Sequence, residues 1–360
     1  MKIFIENYGC TANKNNAEII AGILSKNHRI VNSEKKADLV VVNTCVVKGP
    51  TENKIAKRII DIKKPVVVAG CMVDARKELI NKIRPDALLV SVKNISSIGS
   101  VVDKQEIKNK KREIKAKLPK ISCNKNVEII QICEGCPGNC SYCITKIAKG
   151  DLFSCPEIDI VDAIKKSNAQ EIWLTGQDCG AYGRDLGTNL ASLLEKILKL
   201  KKDFKIRIGM INPDFAKEMA DELIEIYKDD KIKKFIHLPL QSGSNDILEK
   251  MNRKYSAEDF IFVVKKFREN FPEIHLKTDV IVGFPTETEK QFEETLDVLK
   301  KTKPDSLNIS RFWPRPKTAA KAMKQLDDRT IMKRARIIKE FYAELKKKRL
   351  SDAVPAYKPL

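Results

Sequence analysis

The stretch Gly135-Cys-Pro-Gly-Asn-Cys-Ser-Tyr-Cys143 sets Cys136, Cys140 and Cys143 at C-x3-C-x2-C spacing on one short loop. Thiolates so spaced converge on a single iron–sulfur cube, as cysteines do in ferredoxin-type runs. The usual cube takes a fourth cysteine. An iron left without one has an open coordination position, the mark of a catalytic rather than a structural centre. That vacancy is where a small molecule binds and accepts an electron. The alternative is a zinc loop, but zinc sites pair C-x2-C units or add histidines. The three histidines, His28, His237 and His275, are all distant from the loop in sequence. Cys133 would make a four-thiolate set, yet it ends an apolar run from Val127 that reads as a strand, and that placement gives a buried thiol.

With Tyr142 as its aromatic, C-x3-C-x-(aromatic)-C resembles the signature of the radical S-adenosylmethionine enzymes. The continuation Ile144-Thr-Lys-Ile-Ala-Lys-Gly150, then Ser154-Cys-Pro156, resembles their methylthiotransferase branch. The resemblance implies that the open iron is chelated by the amino and carboxylate groups of the methionine moiety. One electron then cleaves the sulfonium to a 5′-deoxyadenosyl radical. The cofactor carries that chemistry, and the protein positions it and excludes water.

The first hundred residues alternate strand and helix. Short β-branched runs at 2–5, 39–42, 66–69 and 87–90 read as buried parallel strands, with helical stretches near 15–25, 52–62 and 75–83 between them. This predicts a doubly wound α/β domain. Cys10, Cys45 and Cys71 each follow one of three consecutive strands. Carboxyl ends of parallel strands share one edge, where ligands bind, so these thiols are expected to converge. Three unrelated buried thiols are the alternative. Gly9-Cys10-Thr-Ala-Asn13, Asn43-Thr-Cys45-Val-Val and Ala69-Gly-Cys71 resemble the methylthiotransferase N-terminal domain with its auxiliary cluster. Glycines beside Cys10 and Cys71 let backbone approach such a core. Asn13 matches the family pattern, with no role that spacing assigns.

A second alternation begins at Val127, with strands expected at 127–132, 171–175, 205–210, 234–238, 276–282 and 306–310. Helices are expected at 157–167, 190–199, 215–227, 257–270 and 289–301. Six β/α units are too few for a closed eight-stranded barrel and fit a partial (β/α)6 barrel. Ser154 with Glu157 reads as a capping box opening the first helix. The chain thus divides into an N-terminal domain over 1–103, a basic linker over 104–124, a barrel over 125–320 and a helical extension over 321–360.

Catalytic groups in β/α barrels gather at the carboxyl ends of strands. By the resemblance, Thr175, Gly176, Gln177 and Asp178 lie where the superfamily binds the methionine amino group. Gln241 and Ser242 suit a ribose, and Arg253 suits the methionine carboxylate. Asp279 stands at the head of the adenine-binding strand where the family pattern has glycine, and Gly283 leaves room for a flat ring. An ordinary polar turn at 175–178 and a surface cation at Arg253 are the plainer readings. His237 receives no role, and Cys123, Cys155 and Cys179 read as structural. Arg311-Phe-Trp-Pro-Arg-Pro-Lys317 interleaves cations and aromatics that stack on nucleotides or pack under the barrel edge.

The formal net charge is +20. Eight basic residues lie between Lys104 and Lys120, and a second basic run spans Lys333 to Arg349. Such a field attracts a polyanion, salt-sensitively and without sequence readout; solvated helix faces are the alternative. No uncharged apolar run of about 18 residues suits a membrane span. Ten cysteines without a signal-peptide layout imply metal ligation in a reducing cytoplasm.

Two incomplete cubes imply divided labour. By the resemblance the cofactors are two [4Fe–4S] clusters and S-adenosylmethionine, which acts as radical source and as methyl donor. Cys136, Cys140 and Cys143 ligate the radical-generating cluster; Cys10, Cys45 and Cys71 ligate the one that holds the inserted sulfur. The segments 177–187 and 207–213 look most like the archaeal and eukaryotic group acting on threonylcarbamoyladenosine. The expected reaction is 2-methylthiolation of that nucleoside at position 37 of tRNA, with an external electron donor and an unspecified sulfur donor. Alternatives are the isopentenyladenosine enzyme, the ribosomal-protein aspartate enzyme and a non-catalytic metal-binding RNA-binding protein. Family members usually carry a small β-barrel RNA-binding domain, TRAM, after the helix ending near Leu350. Residues 351–360 are too short for it: either the sequence was trimmed before that domain, or this member lacks it and the linker and terminal helix hold the RNA.

Overall fold

The computed structural model describes residues 1–105 and 112–353, with side chains to 349. Residues 106–111 of the expected linker and the expected tail 354–360 lie outside the described residues. The chain packs as two compact units. One holds Met1–Asn139, Cys143–Met210 and Ile226–Lys233; the other holds Cys140–Tyr142, Ile211–Glu225 and the chain from Lys234 onward.

The first unit opens with β1 (Lys2–Asn7), β2 (Arg29–Val31), β3 (Leu39–Thr44), β4 (Val66–Gly70) and β5 (Leu88–Ser91), ordered β2-β1-β3-β4-β5 and parallel throughout. Every residue of β3 and β4 is buried. Alternation sends Val40, Val42, Val66 and Val68 to one face with Ile55 and Ile59 of the helix Gly49–Asp61. Leu39, Val41 and Val67 face Ile19, Ile20 and Leu24 of the helix Thr11–Leu24 on the other. Continuous β-branched runs are what a sheet buried on both faces requires. Two local expectations are corrected. β2 was not foreseen, and the helix expected over 75–83 is two, Cys71–Ala75 and Lys77–Ile83, broken at Arg76.

The same unit carries β6 (Val127–Gln131), the short antiparallel pair β7 (Cys133–Glu134) and β8 (Phe153–Ser154), β9 (Glu171–Thr175) and β10 (Lys205–Ile208). Strands β10-β9-β6 form one parallel sheet. The second unit carries β11 (Phe235–His237), β12 (His275–Val282) and β13 (Ser306–Arg311), parallel in that order. These six parallel strands and their helices make the partial (β/α)6 class. The capping box expected at Ser154 is absent. The helix Glu157–Lys166 has Pro156 at its N-cap, and the Ser154 hydroxyl accepts from the Gly183 amide at 2.9 Å instead. Capping boxes do open the helices Ala257–Asn270, through Ser256 and Asp259, and Glu289–Thr302, through Thr288 and Gln291.

In the second unit the helix Asp328–Ala353 packs along β13. Arg334 enters a buried pair with Glu287 at 2.7 Å, and the Tyr342 hydroxyl donates to Asp305 O at 2.6 Å. Among the described residues no helix is long and apolar enough to cross a membrane.

Candidate metal centres and cofactor site

Strand order places the N-terminal cysteines. Cys10, Cys45 and Cys71 follow β1, β3 and β4, three neighbours in the sheet. In a 2-1-3-4-5 sheet the chain reverses direction of growth between β1 and β3, and ligands sit outside the strand ends at that switch point. Cys10 and Cys45 flank it. The three thiols feel one another. Burial pushes the Cys45 thiol up and the charge of Cys10 adds to that; burial pushes Cys71 up to about 12, with Cys45 and Cys10 adding and Lys149 opposing. Cys10 is exposed, whereas Cys45 and Cys71 are buried.

The neighbouring backbone is cut to this cradle. Gly9 has φ +108°, and a Cβ on it would lie 2.7 Å from Cys45 Cβ and 2.9 Å from Cys45 Sγ. Gly70 has φ +90°, and its Cβ would lie 2.6 Å from Asn43 Oδ1, a buried oxygen without a hydrogen-bond partner. Asn13 now has a role. Its Nδ2 donates to Tyr8 O at 2.8 Å and Thr44 O at 2.7 Å, tying the ends of β1 and β3, while Cys71 Sγ donates to its Oδ1 at 3.8 Å. Among the described residues no three His, Cys, Asp or Glu side chains gather around one ion. A four-iron core spreads its thiolates over separate irons and takes a wider triangle. The donor set of three thiols past neighbouring strand ends, two glycine gaps and an unpartnered oxygen fits such a core.

Two sulfurs of the loop Cys136–Cys143, those of Cys136 and Cys140, accept hydrogen bonds. The Gly138 amide donates to Cys136 Sγ at 3.4 Å, and Lys146 Nζ donates to Cys136 O at 2.6 Å. In the second unit Arg253 Nη1 donates to Cys140 Sγ at 3.2 Å, and Nη2 donates to Asn212 Oδ1. All three loop cysteines are partly accessible, and donors aimed at sulfur stabilise thiolate charge. Three thiols at C-x3-C-x2-C spacing are the donor type that a cluster with one free iron takes. Cys133 stands apart, buried, with Sγ 3.3 Å from Asp178 O, in keeping with a structural thiol.

The structure locates the remaining expected residues. Thr175 ends β9 in register with Gln131. Gly176 admits Cys133, whose Sγ would lie 2.5 Å from an added Cβ. Gln177 Oε1 accepts from the Gly135 amide at 2.8 Å and so steadies the start of the loop. Asp178 is fully buried and accepts from the Gly180 amide at 3.0 Å. Within the second unit Tyr142 packs edge-on to Phe284, ring centres 6.4 Å apart. Gln241 adopts φ +62°, and its backbone bridges Asp279 and Ile281. The Ser242 hydroxyl is fully buried 3.3 Å from Thr295 Oγ1. The space Gly283 leaves belongs to Ile331 of the terminal helix, whose Cγ1 would stand 2.5 Å from a Cβ there, not to a flat ring.

Sequence reasoning missed three partners. His237, given no role, pairs with Asp279, which also accepts from Asn308 Nδ2 at 2.7 Å. Burial opposes the charge of Asp279, but the His237 hydrogen bond holds its carboxyl below the usual range. Asn212 anchors Arg253. Lys149 is buried against Glu134 at 2.7 Å, although its only sequence signal was a lysine closing an otherwise ordinary turn. The basic linker is likewise less free than expected. Lys115 is buried on Glu134 at 2.7 Å, Lys117 pairs with Asp159 at 2.9 Å, and Lys120 pairs with Glu128. Of the aromatic-basic segment, Phe312 is core while Trp313 is exposed.

The Radical SAM superfamily matches residues 130–299, and Uncharacterized protein family UPF0004 matches residues 2–91. A probable threonylcarbamoyladenosine tRNA methylthiotransferase of Pyrococcus horikoshii is 42% identical, over 94% of this chain and 83% of its own. One from Methanocaldococcus jannaschii is 38% identical over 96% and 83%. The threonylcarbamoyladenosine tRNA methylthiotransferase of Drosophila melanogaster is 35% identical over 99% of this chain and 66% of its own. Among solved structures, the cobalamin-dependent S-adenosylmethionine radical enzyme OxsB, with aqua-cobalamin and S-adenosylmethionine bound, aligns with TM-score 0.54 and 14% identity. It covers 96% of this chain and 56% of that one, a likeness of fold alone.

Proposed function

The chain belongs to the radical S-adenosylmethionine methylthiotransferase family, in its archaeal and eukaryotic threonylcarbamoyladenosine branch, and from that premise we propose its reaction and the residues that carry it. It is a tRNA methylthiotransferase that replaces the C2 hydrogen of N6-threonylcarbamoyladenosine, at position 37 of tRNA, with a methylthio group. Polar acid–base chemistry does not reach so weakly acidic a C–H bond, which is why one-electron chemistry is needed. When bound, the loop cluster with S-adenosylmethionine supplies the radical, and the auxiliary cluster supplies the sulfur that S-adenosylmethionine methylates.

In this reading Cys136, Cys140 and Cys143 hold the radical-generating cluster, and Cys10, Cys45 and Cys71 hold the auxiliary one. Arg253 orients the cofactor carboxylate while donating to Cys140. Gln177 sets the loop's entry, and Tyr142 packs its exit. Functional domains are taken as 1–103, linker 104–124, 125–320 and 321–360. An external one-electron donor and a sulfur source complete the reaction, and ten free cysteines suit a reducing cytoplasm.

The observation that carries the division of labour is the second thiol trio at the β1/β3 switch point, separate in sequence from the loop. The test is anaerobic reconstitution with iron and sulfide, then incubation with dithionite, S-adenosylmethionine and tRNA bearing threonylcarbamoyladenosine. Nucleoside mass spectrometry should show the methylthio derivative together with released 5′-deoxyadenosine. Methylthiolation of isopentenyladenosine or of a ribosomal protein, with this nucleoside untouched, would overturn the substrate assignment.

A further inference from the structure

The helix Ile144–Lys149 starts at one thiol site and ends beside the other. Cys143 is its N-cap. Its Ile144 and Ala148 lie in the same apolar cluster as Cys45, Cys71 and Met72, and it packs against the helix Cys71–Ala75. Six residues at the α-helical rise span about 9 Å. At the far end stands Lys149, 1% exposed.

Charge around Lys149 does not balance. Lys149 Nζ and Lys115 Nζ both donate to the same oxygen, Glu134 Oε1, each at 2.7 Å. Lys115 spends another hydrogen on Val92 O at 2.8 Å. Two buried ammonium groups therefore share one buried carboxylate, and Arg112 adds a further cation 4.0 Å from Glu134 Oε2. Excess charge inside a protein is costly unless an opposite charge lies near. Beyond Glu134, the groups that favour the charged form of Lys149 are Cys71 and Cys10. As neutral thiols they supply no anion. As ligands of a cluster they do, since three thiolates outweigh the charge of the iron–sulfur core and reduction adds one more negative charge.

We propose that Lys149 is the counter-cation of the auxiliary cluster, a positioning residue whose buried charge offsets the thiolates of Cys10, Cys45 and Cys71 and raises that cluster's reduction potential. The inference rests on assigning those cysteines to a cluster. Cluster potentials follow net charge and surroundings. A cation in this place favours the more negative, reduced state, and Glu134 tempers it.

The experiment uses the full chain with Cys136, Cys140 and Cys143 changed to Ala, so that only the auxiliary site can load. Iron and sulfide are counted, and the midpoint potential is measured by redox titration followed by electron paramagnetic resonance. Lys149→Met should lower the midpoint, Lys149→Arg should leave it near the parent's, and Glu134→Gln should raise it. Opposite shifts from two neighbouring substitutions are not what a loosened core gives. Unchanged midpoints in Lys149→Met and Glu134→Gln, or shifts of the same sign, overturn the proposal. Should Lys149→Met fail to load, the Glu134→Gln arm decides it, a rise supporting and no change overturning. A parent that binds no iron overturns the auxiliary-site reading itself, and this inference with it, before any Lys149 variant is compared.

Discussion

Arg253 Nη1 lies 3.2 Å from Cys140 Sγ while the guanidinium carbon sits 4.8 Å from the centre of the Tyr255 ring. Burial works against its charge, yet Tyr255, Tyr142 and Cys140 hold the guanidinium firmly protonated. On the proposed reading this fixed cation beside Cys140 also takes the cofactor carboxylate. Arg253→Ala should weaken S-adenosylmethionine binding about ten- to hundredfold, the scale of one hydrogen bond to a charged group. Lys should restore little, because it lacks the planar fork that serves two acceptors at once. Equilibrium binding to the reconstituted protein measures this, and wild-type affinity in Arg253→Ala would remove the assignment.

Gly9 tests the auxiliary cradle without replacing a proposed ligand. A Cβ there meets Cys45 Cβ at 2.7 Å, in a backbone conformation at φ +108° that side chains rarely adopt. Gly9→Ala should displace Cys45, and iron per chain should fall to about half as one of two clusters is lost. The loop cluster should persist, seen as retained cofactor cleavage. Full iron content in this variant would mean that the thiols tolerate displacement.

Gly283 tests the corrected reading of the strand end. Its φ is +73°, and Ile331 fills the space beside it. Gly283→Ala should lower stability by about 1–3 kcal/mol through strain and overpacking. Adding Ile331→Ala should relieve the overpacking part only, read as a partial recovery of the denaturation midpoint. If the glycine served a ligand alone, stability would not move and cofactor affinity would.

The alternating segments were plain from the chain. Strand 171–175 and helix 257–270 occur as expected, because periodic apolar residues bounded by caps and turns leave few options. β2 was missed because three residues, Arg29-Ile-Val31, are too few to show a period, and neighbouring β1 supplies the pairing. Ser154 misled because its spacing from Glu157 matches a capping box, while Gly183, far along the chain, claims the hydroxyl. The place of Cys10, Cys45 and Cys71 after neighbouring parallel strands was legible, because buried β-branched runs mark the strand ends. Lys149, Asn212 and the His237–Asp279 pair were not, since each takes its meaning from a partner distant in sequence. A lysine before a glycine looks like surface until Glu134 is seen beneath it.

Glu134 gives the structure an acid limb. Burial alone would raise its pKa, but Lys115 and Lys149 bring it down to about 2, against roughly 4.3 in an unfolded chain. A carboxyl lowered on folding stabilises the fold fully above the unfolded value and loses that contribution as pH falls towards the folded one. Urea midpoints should therefore decline between about pH 4.5 and pH 2, and more steeply in the wild type than in Glu134→Gln. Equal slopes would place the acid sensitivity elsewhere.

The account turns on two thiol sites with separate tasks, and paired product analysis of Cys140→Ala and Cys45→Ala tests it most directly. Each reconstituted variant is given S-adenosylmethionine, dithionite and substrate tRNA, and 5′-deoxyadenosine and the methylthio nucleoside are quantified side by side. Cys140→Ala should lose both products. Cys45→Ala should still release 5′-deoxyadenosine while forming no methylthio nucleoside. Equal loss of both products in the two variants, with the fold intact, would contradict the division of labour.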